Sequence, residues 1–238
     1  MAGYLLILGA SSDIAKATAE QFAKAGHNLY LAGRNLEELK KNADSLKRKF
    51  NIDAKALFFD ILDFKNNEAF YNSLSPKPSG VLCAVGYLGS GFNEAKKIID
   101  TNFTGCVLIL NIIANDFELR KEGFIIGICS VAGDRGRRSH FLYGSSKAGF
   151  ATYLSGLRNK LNSAGVRVLT VKPGFVRTKM TTGLKLPKLL TSEPEEVAKD
   201  IFTAYKNKND VIYTKWFWKY IMLIIKLIPE KIFKKLTF

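Results

Sequence analysis

YLLILGASSDIAKATAEQFAK (residues 4–24) sets an apolar run, Tyr4–Leu8, against a turn of small residues and then a segment of helical periodicity. The run is continuous rather than alternating, the pattern of a strand covered on both faces. It recurs along the chain. NLYLA (28–32), AKALFF (54–59), GVLCAV (80–85), GFIIGIC (123–129) and VRVLTV (166–171) read as strands, with helical stretches at 14–25, 36–50, 93–116 and 142–162 among those between them. Such alternation predicts an α/β fold, a doubly wound parallel sheet in three α/β/α layers. No repeat, low-complexity linker or Pro-rich boundary divides the chain. One domain is expected over 1–208, followed by a distinct basic, amphipathic tail over 209–238.

Of the 238 residues 47% are hydrophobic and 24% charged, proportions that exclude a disordered or collagen-like chain. Residues 1–119 carry no net charge, so the whole +15 belongs to the second half, which predicts an anion-attracting face there. Cys83, Cys106 and Cys129 sit in apolar runs without a Cys-x-x-Cys pair and read as reduced core thiols. His27 and His140, the only histidines, have no ligand-spaced neighbours, which argues against a zinc site. Met1-Ala2-Gly3 lacks the basic start of a signal peptide, and no apolar stretch reaches the ~20 residues of a membrane span. A cytoplasmic location is expected, peripheral on the membrane face if the tail docks there.

Ligands of doubly wound sheets bind at the carboxyl ends of the strands, so the loops there carry the chemistry. Gly9-Ala10-Ser11-Ser12-Asp13-Ile14-Ala15 aims backbone N–H groups and a helix start at a pyrophosphate, or is a plain turn capped by Ser12 or Asp13. At the end of the second strand, Gly33-Arg34-Asn35 has a guanidinium and no carboxylate. That suits a 2′-phosphate, hence NADP(H) over NAD(H), unless Arg34 is a solvated helix-start residue. Asp60, in Asp60-Ile61-Leu62-Asp63, is placed to bond an adenine amino group or to cap the next helix, as Asp63 also is.

Tyr143 and Lys147 are four apart in a helical pattern and share one face. A free phenol is a poor acid–base catalyst at neutral pH, and a neighbouring ammonium favours the phenolate. Ser130 ends the fifth strand thirteen residues before Tyr143, where its hydroxyl can reach the same substrate oxygen.

These residues resemble those of the short-chain dehydrogenase/reductase family. Gly9-Ala10-Ser11-Ser12, Asp60, Ala84-Val85-Gly86, Asn102, Ser130, Tyr143-Gly144-Ser145-Ser146-Lys147 and Pro173-Gly174-Phe175-Val176-Arg177-Thr178 match its motifs up to about residue 206. The resemblance implies a Rossmann-type sheet of about seven strands and NAD(P)-dependent hydride transfer between a ketone and a secondary alcohol. Tyr143 becomes the general acid–base, Lys147 the residue that tunes it and holds the nicotinamide ribose, Ser130 the carbonyl-positioning group and Asn102 the support of a water relay. Cofactor contacts are implied for Gly9, Ser11, Ser12, Asp13, Ile14, Arg34, Asp60, Ile61, Ala84, Gly86, Tyr143, Lys147, Pro173, Gly174, Val176 and Thr178. Asp13 and Ala15 stand where the family's fingerprint has glycines. Asp13, Val85-Gly86-Tyr87-Leu88-Gly89 and the basic apolar tail also resemble the branch containing decaprenylphosphoryl-2-keto-pentose reductases.

On a helix over 215–228, Lys215, Lys219, Met222 and Lys226 form one stripe among Trp, Phe, Tyr, Ile and Leu. With Lys231, Lys234 and Lys235 beyond Pro229, residues 215–236 are expected to dock on an anionic membrane surface; a subunit-packing helix of a homo-oligomer is the alternative. Arg135-Gly136-Arg137-Arg138 and the apolar, lysine-bearing stretch 183–190 border the expected active site and would serve a phosphate-bearing lipid or remain a solvated basic surface. The leading reading is an NADPH-dependent reductase of a lipid-linked or apolar ketone. The alternatives are a soluble reductase of small carbonyls with a dimerising tail and a non-catalytic dinucleotide-binding membrane adaptor. Nucleic acid is set aside: despite a pI near 9.7, no reading helix or stacking platform is present.

Overall fold

The computed structural model describes residues 3–89 and 91–236. Its strands are β1 (Tyr4–Leu8), β2 (Asn28–Gly33), β3 (Ala54–Phe58), β4 (Gly80–Cys83), β5 (Phe124–Ile128), β6 (Arg167–Pro173), β7 (Phe175–Val176), β8 (Thr191–Ser192) and β9 (Val211–Thr214). β7 and β8 pair only with each other; the other seven form one parallel sheet in the order β3-β2-β1-β4-β5-β6-β9. The helices are α1 (Asp13–Lys24), α2 (Leu36–Phe50), α3 (Asn67–Asn72), α4 (Ala95–Ile99), α5 (Gly105–Arg120), α6 (Phe141–Leu161), α7 (Pro194–Lys206), α8 (Trp218–Leu227) and α9 (Glu230–Phe233).

The alternation of side chains on β1 explains the two cores. Leu6 and Leu8 face a cluster containing Ile109, Ile113 and Phe117 of α5 with Phe150 and Leu154 of α6. Leu5 and Ile7 face the opposite cluster, with Phe22 of α1, Leu39 and Leu46 of α2 and Ile201 of α7. α2 shows the sequence logic locally. Leu39, Ala43 and Leu46 make its buried stripe, the Asn35 side chain accepts the Glu38 N–H at 3.2 Å, and Lys47, Arg48 and Lys49 end it on the negative pole. Leu8 pairs with both Ala32 and Cys83, so the loops after β1, β2 and β4 open at one level, at the point where strand order reverses.

Three expectations are corrected. The seventh strand, β9, lies inside the segment expected to be a separate tail: Thr170 pairs with Val211 and Pro173 with Thr214, so the chain beyond 208 completes the sheet. The helix expected from 215 begins at Trp218. Lys215 precedes it with φ +50°, off the lysine stripe, and Met222 is fully buried with Trp218 against Val131. Finally, the helical run Phe92–Arg120, which includes a π-helical turn at Asp100–Thr104, is long and apolar enough to cross a membrane by length and composition. Half of its most apolar window is buried inside the protein, as in a core helix.

Candidate active site

The turn from β1 into α1 is built on one glycine. Gly9 has φ +77°, and a Cβ there would lie 3.0 Å from the Val85 amide nitrogen and 3.1 Å from the Ala84 carbonyl oxygen. Only glycine lets this turn sit against the loop after β4. Ser12 is the N-cap of α1, its Oγ accepting the Ala15 N–H at 3.2 Å. Asp13 does not cap the helix; its Oδ2 accepts the backbone N–H of Lys179 at 2.7 Å.

Two adjoining cavities of about 280 Å³ each run along the carboxyl edge of the sheet and share Ser11, Ser12, Ala84, Val85 and Gly86 as wall. The first extends to Gly9, Arg34, Asp60 and Ile61. The second extends to Asp13, Ile14, Ser130, Tyr143, Lys147, Pro173, Gly174, Val176 and Thr178. Every residue expected to touch cofactor therefore lines one cleft. Arg34 is exposed at its outer end. Asp60 also serves its own loop, Oδ1 accepting the Leu62 N–H at 3.0 Å, while Asp63 makes no cap bond to the turn that follows it.

Lys147 is 2% exposed, and its ammonium donates to the carbonyls of Ile128 (3.0 Å) and Val85 (3.2 Å). The nitrogen stands 5.9 Å from the centroid of the Tyr143 ring. Burial alone would disfavour its charge, but attraction to Tyr143 and the neighbouring cysteines outweighs this, so its pKa lies above the ordinary lysine value. Burial pushes the Cys129 thiol up to about 12, against the opposing pull of the Lys147 charge. Ser130 is extended, and its Oγ accepts the Ala132 N–H at 3.1 Å. Its loop lies on α6 because Gly144 has no side chain; a Cβ there would meet the Ala132 carbonyl oxygen at 2.7 Å.

Asn102 alone among the expected catalytic residues does not line the cleft. It is fully buried in the π-helical turn, and its amide is spent on the backbone of Tyr87: Oδ1 accepts the N–H at 2.7 Å and Nδ2 donates to the carbonyl at 2.8 Å. It clamps the loop whose Val85 carbonyl receives Lys147. Asp134, next to this centre, accepts Lys172 Nζ of β6 at 2.5 Å and Tyr213 OH of β9 at 2.7 Å, tying the Ser130 loop to the sheet edge.

Sequence reasoning missed several neighbours. Met180 and Thr181 complete the second cavity and Tyr87 and Lys97 the first. Trp218 seals the Pro173-Gly174 wall. Its indole N–H donates to the Leu190 carbonyl at 3.3 Å, and a Cβ on Gly174 would fall 1.9 Å from that nitrogen. No signal in the sequence links positions 174 and 218. Arg135, expected to face substrate or solvent, instead clasps the tail. It donates to the Lys226 carbonyl and to Glu230, both at 2.8 Å, and its guanidinium lies over the Phe233 ring.

Residues 4–188 match the sequence profile of the family described as short chain dehydrogenase. An uncharacterized oxidoreductase of Mycobacterium tuberculosis is 31% identical over 242 residues, covering 98% of this chain and 96% of the relative. Among solved structures, a short-chain dehydrogenase from Sphingobium yanoikuyae in complex with NADPH superposes with a TM-score of 0.81 at 23% identity, covering 97% of each chain. The bulky-bulky ketone specific alcohol dehydrogenase from Comamonas testosteroni gives 0.79 at 21% identity, covering 97% of this chain and 96% of its own.

Proposed function

The chain belongs to the short chain dehydrogenase family, and from that premise we propose that it is an NADPH-dependent reductase of apolar ketones working at a membrane surface. The observation that carries the reading is the buried Lys147 ammonium beside Tyr143 in a cleft that also holds Ser130 and continues to Arg34. The cleft suits a phosphorylated dinucleotide: the α1 start and its serines line the middle, and an exposed guanidinium stands at the outer end. When bound, that dinucleotide supplies the hydride. The protein supplies the proton. Tyr143 gives its phenolic hydrogen to the substrate carbonyl oxygen, and the Lys147 ammonium favours the phenolate left behind. Ser130 spends a lone pair on Ala132, which leaves its own hydrogen to hold the same oxygen. Asn102 acts by positioning the 85–87 loop.

Three features support an apolar substrate met at a membrane. Phe92 and Phe141, 79% and 42% exposed, lie with their rings 5.6 Å apart and tilted by 53°, and Phe141 opens α6 two residues ahead of Tyr143. Met180, Leu184 and Leu189 are exposed along the segment that closes the second cavity. The resemblance of the tail and of the Val85–Gly89 loop to the polyprenyl-linked ketosugar reductases agrees. NADPH in the Sphingobium structure and a bulky ketone as substrate of the Comamonas enzyme fit the same chemistry.

The test is Tyr143→Phe, which keeps the ring and removes the proton donor. NADPH-dependent reduction of a long-chain or aryl ketone should fall at least ~10²-fold, with cofactor binding and thermal unfolding unchanged. Near-normal turnover in that variant would remove Tyr143 from the mechanism.

A further inference from the structure

Asp13 puts a carboxylate at the head of α1, in the loop where a dinucleotide phosphate would approach, and the structure shows where its charge goes. Oδ2 accepts the Lys179 N–H at 2.7 Å, across 166 residues of chain. Lys179 opens the short 3₁₀ turn Lys179–Thr181 beyond β7. That turn is closed on itself: Thr181 Oγ1 accepts the Thr178 N–H at 3.0 Å and donates to the Val176 carbonyl at 2.7 Å. Met180 and Thr181, immediately after the anchored amide, form the wall of the cavity that holds Ser130 and Tyr143.

A second carboxylate grips the same residue from α2. Glu38 Oε1 lies 3.6 Å from Lys179 Nζ and accepts Lys16 Nζ at 2.5 Å. The hydrogen bond from Lys16, aided by the charge of Lys179, holds the Glu38 carboxyl below the usual range. Both contacts join the turn to the half of the sheet that carries Arg34 and the α1 start.

We propose that Asp13 is a latch that holds the 178–182 turn over the cofactor cleft and so sets how long NADPH stays bound. It is a positioning residue, acting through the lid rather than on the reacting atoms, and the proposal rests on the NADPH reading above. A glycine at position 13 has no side-chain acceptor to offer the lid. The carboxylate adds one and turns its charge onto a backbone amide.

A different role for Asp13 is a charge at a helix N-terminus, which steadies α1 without touching the lid. Asparagine separates the two, because it keeps an acceptor oxygen and loses the charge. The measurements are hydrogen exchange of the full-length, cofactor-free protein over residues 176–182 and the NADPH dissociation rate by stopped-flow fluorescence. Asp13→Ala should raise the Lys179 amide exchange and the NADPH off-rate about three- to tenfold, the range expected for one solvent-accessible hydrogen bond. Asp13→Asn should recover most of both losses.

Lys179→Pro removes the donor instead. Proline suits the first position of the turn, and Thr178 before it is already extended, with φ −140° and ψ 168°. Compared with Lys179→Ala, which keeps the amide, it should show the same faster release. Adding Asp13→Ala to it should change nothing further. The latch is overturned if Asp13→Ala leaves both rates unchanged, or if Asp13→Asn is as damaging as alanine. Should Asp13→Ala fail to fold, the Lys179→Pro and Lys179→Ala pair decides. A wild-type protein that does not bind NADPH defeats the cofactor reading, while the exchange rates still decide the latch.

Discussion

Lys147 and Arg34 bracket the cleft in opposite states. Lys147 is buried, held by two carbonyls, and stays charged through neutral pH because attraction to Tyr143 and the nearby cysteines offsets its desolvation. Arg34 is exposed and forms no hydrogen bond or ion pair among the described residues, so its five donors are free for a ligand. A charge-assisted pair with a 2′-phosphate contributes about 1.5–3 kcal/mol, or roughly tenfold to a hundredfold in affinity. Arg34→Ala should therefore weaken NADPH by that factor and leave NADH almost unaffected, as isothermal titration would show. Equal losses for the two cofactors, or tighter NADH binding by the wild type, would refute the 2′-phosphate assignment.

Between elements, His27 marks where α1 and α7 meet. It lies immediately before β2 with its ring edge-on to Phe22 of α1 at 5.2 Å and to Tyr205 of α7 at 6.0 Å. Burial lowers its pKa below 6.5, against the opposing effect of a hydrogen bond to the Gly3 backbone. The neutral ring is thus the folded form, and the unfolded chain takes up the proton first. Its contribution is complete above pH 6.5 and is lost as pH falls below that value towards the folded pKa. Urea unfolding at pH 7.5 and 5.0 should show a larger acid loss in wild type than in His27→Phe; equal losses would mean that His27 is not a source of the slope. The same interface shows what the sequence makes legible. β1, β2, β4 and β5 stand out because both faces are covered and their apolar runs are unbroken, and β6 because Val168, Leu169 and Val171 leave only Thr170 to interrupt its buried centre. β9 does not: it has four residues, lies at the sheet edge, and its Val211 is 45% exposed. Tyr143 and Lys147 were readable because helical spacing alone brings them together. The Trp218 seat on Gly174 and the Asp13–Lys179 bond were not, since only the folded backbone makes those positions neighbours.

For the whole molecule, the decisive asymmetry is that the net charge and most of the exposed large apolar side chains lie in the same half of the chain. α8 is apolar on two opposite faces. Trp218, Ile221, Met222 and Ile225 pack on the protein, while Tyr220, Leu223, Ile224 and Leu227 are 53–73% exposed. Lys219 and Lys226 lie along one flank between the faces, and Trp216, Ile232 and Leu236 extend the outward surface beside Lys231, Lys234 and Lys235. Four buried side chains at about 1 kcal/mol each, with about 1 kcal/mol for each lysine near an anionic leaflet, would suffice to dock the protein. Truncation is the wrong test of this, because β9 completes the sheet and Trp218 seals the Pro173-Gly174 wall. The outward face itself is the target. Replacing Tyr220, Leu223, Ile224 and Leu227 together with Gln should move the full-length protein from pelleted phosphatidylglycerol vesicles to the supernatant. Reduction of a small soluble ketone should stay near wild type, because none of the four lines the cleft. High salt should weaken the wild-type interaction without abolishing it, since screening removes the lysine contribution and spares the apolar one. A wild type that never pellets with vesicles, joined to a dimer that the four-residue variant breaks, would make this face a subunit contact instead.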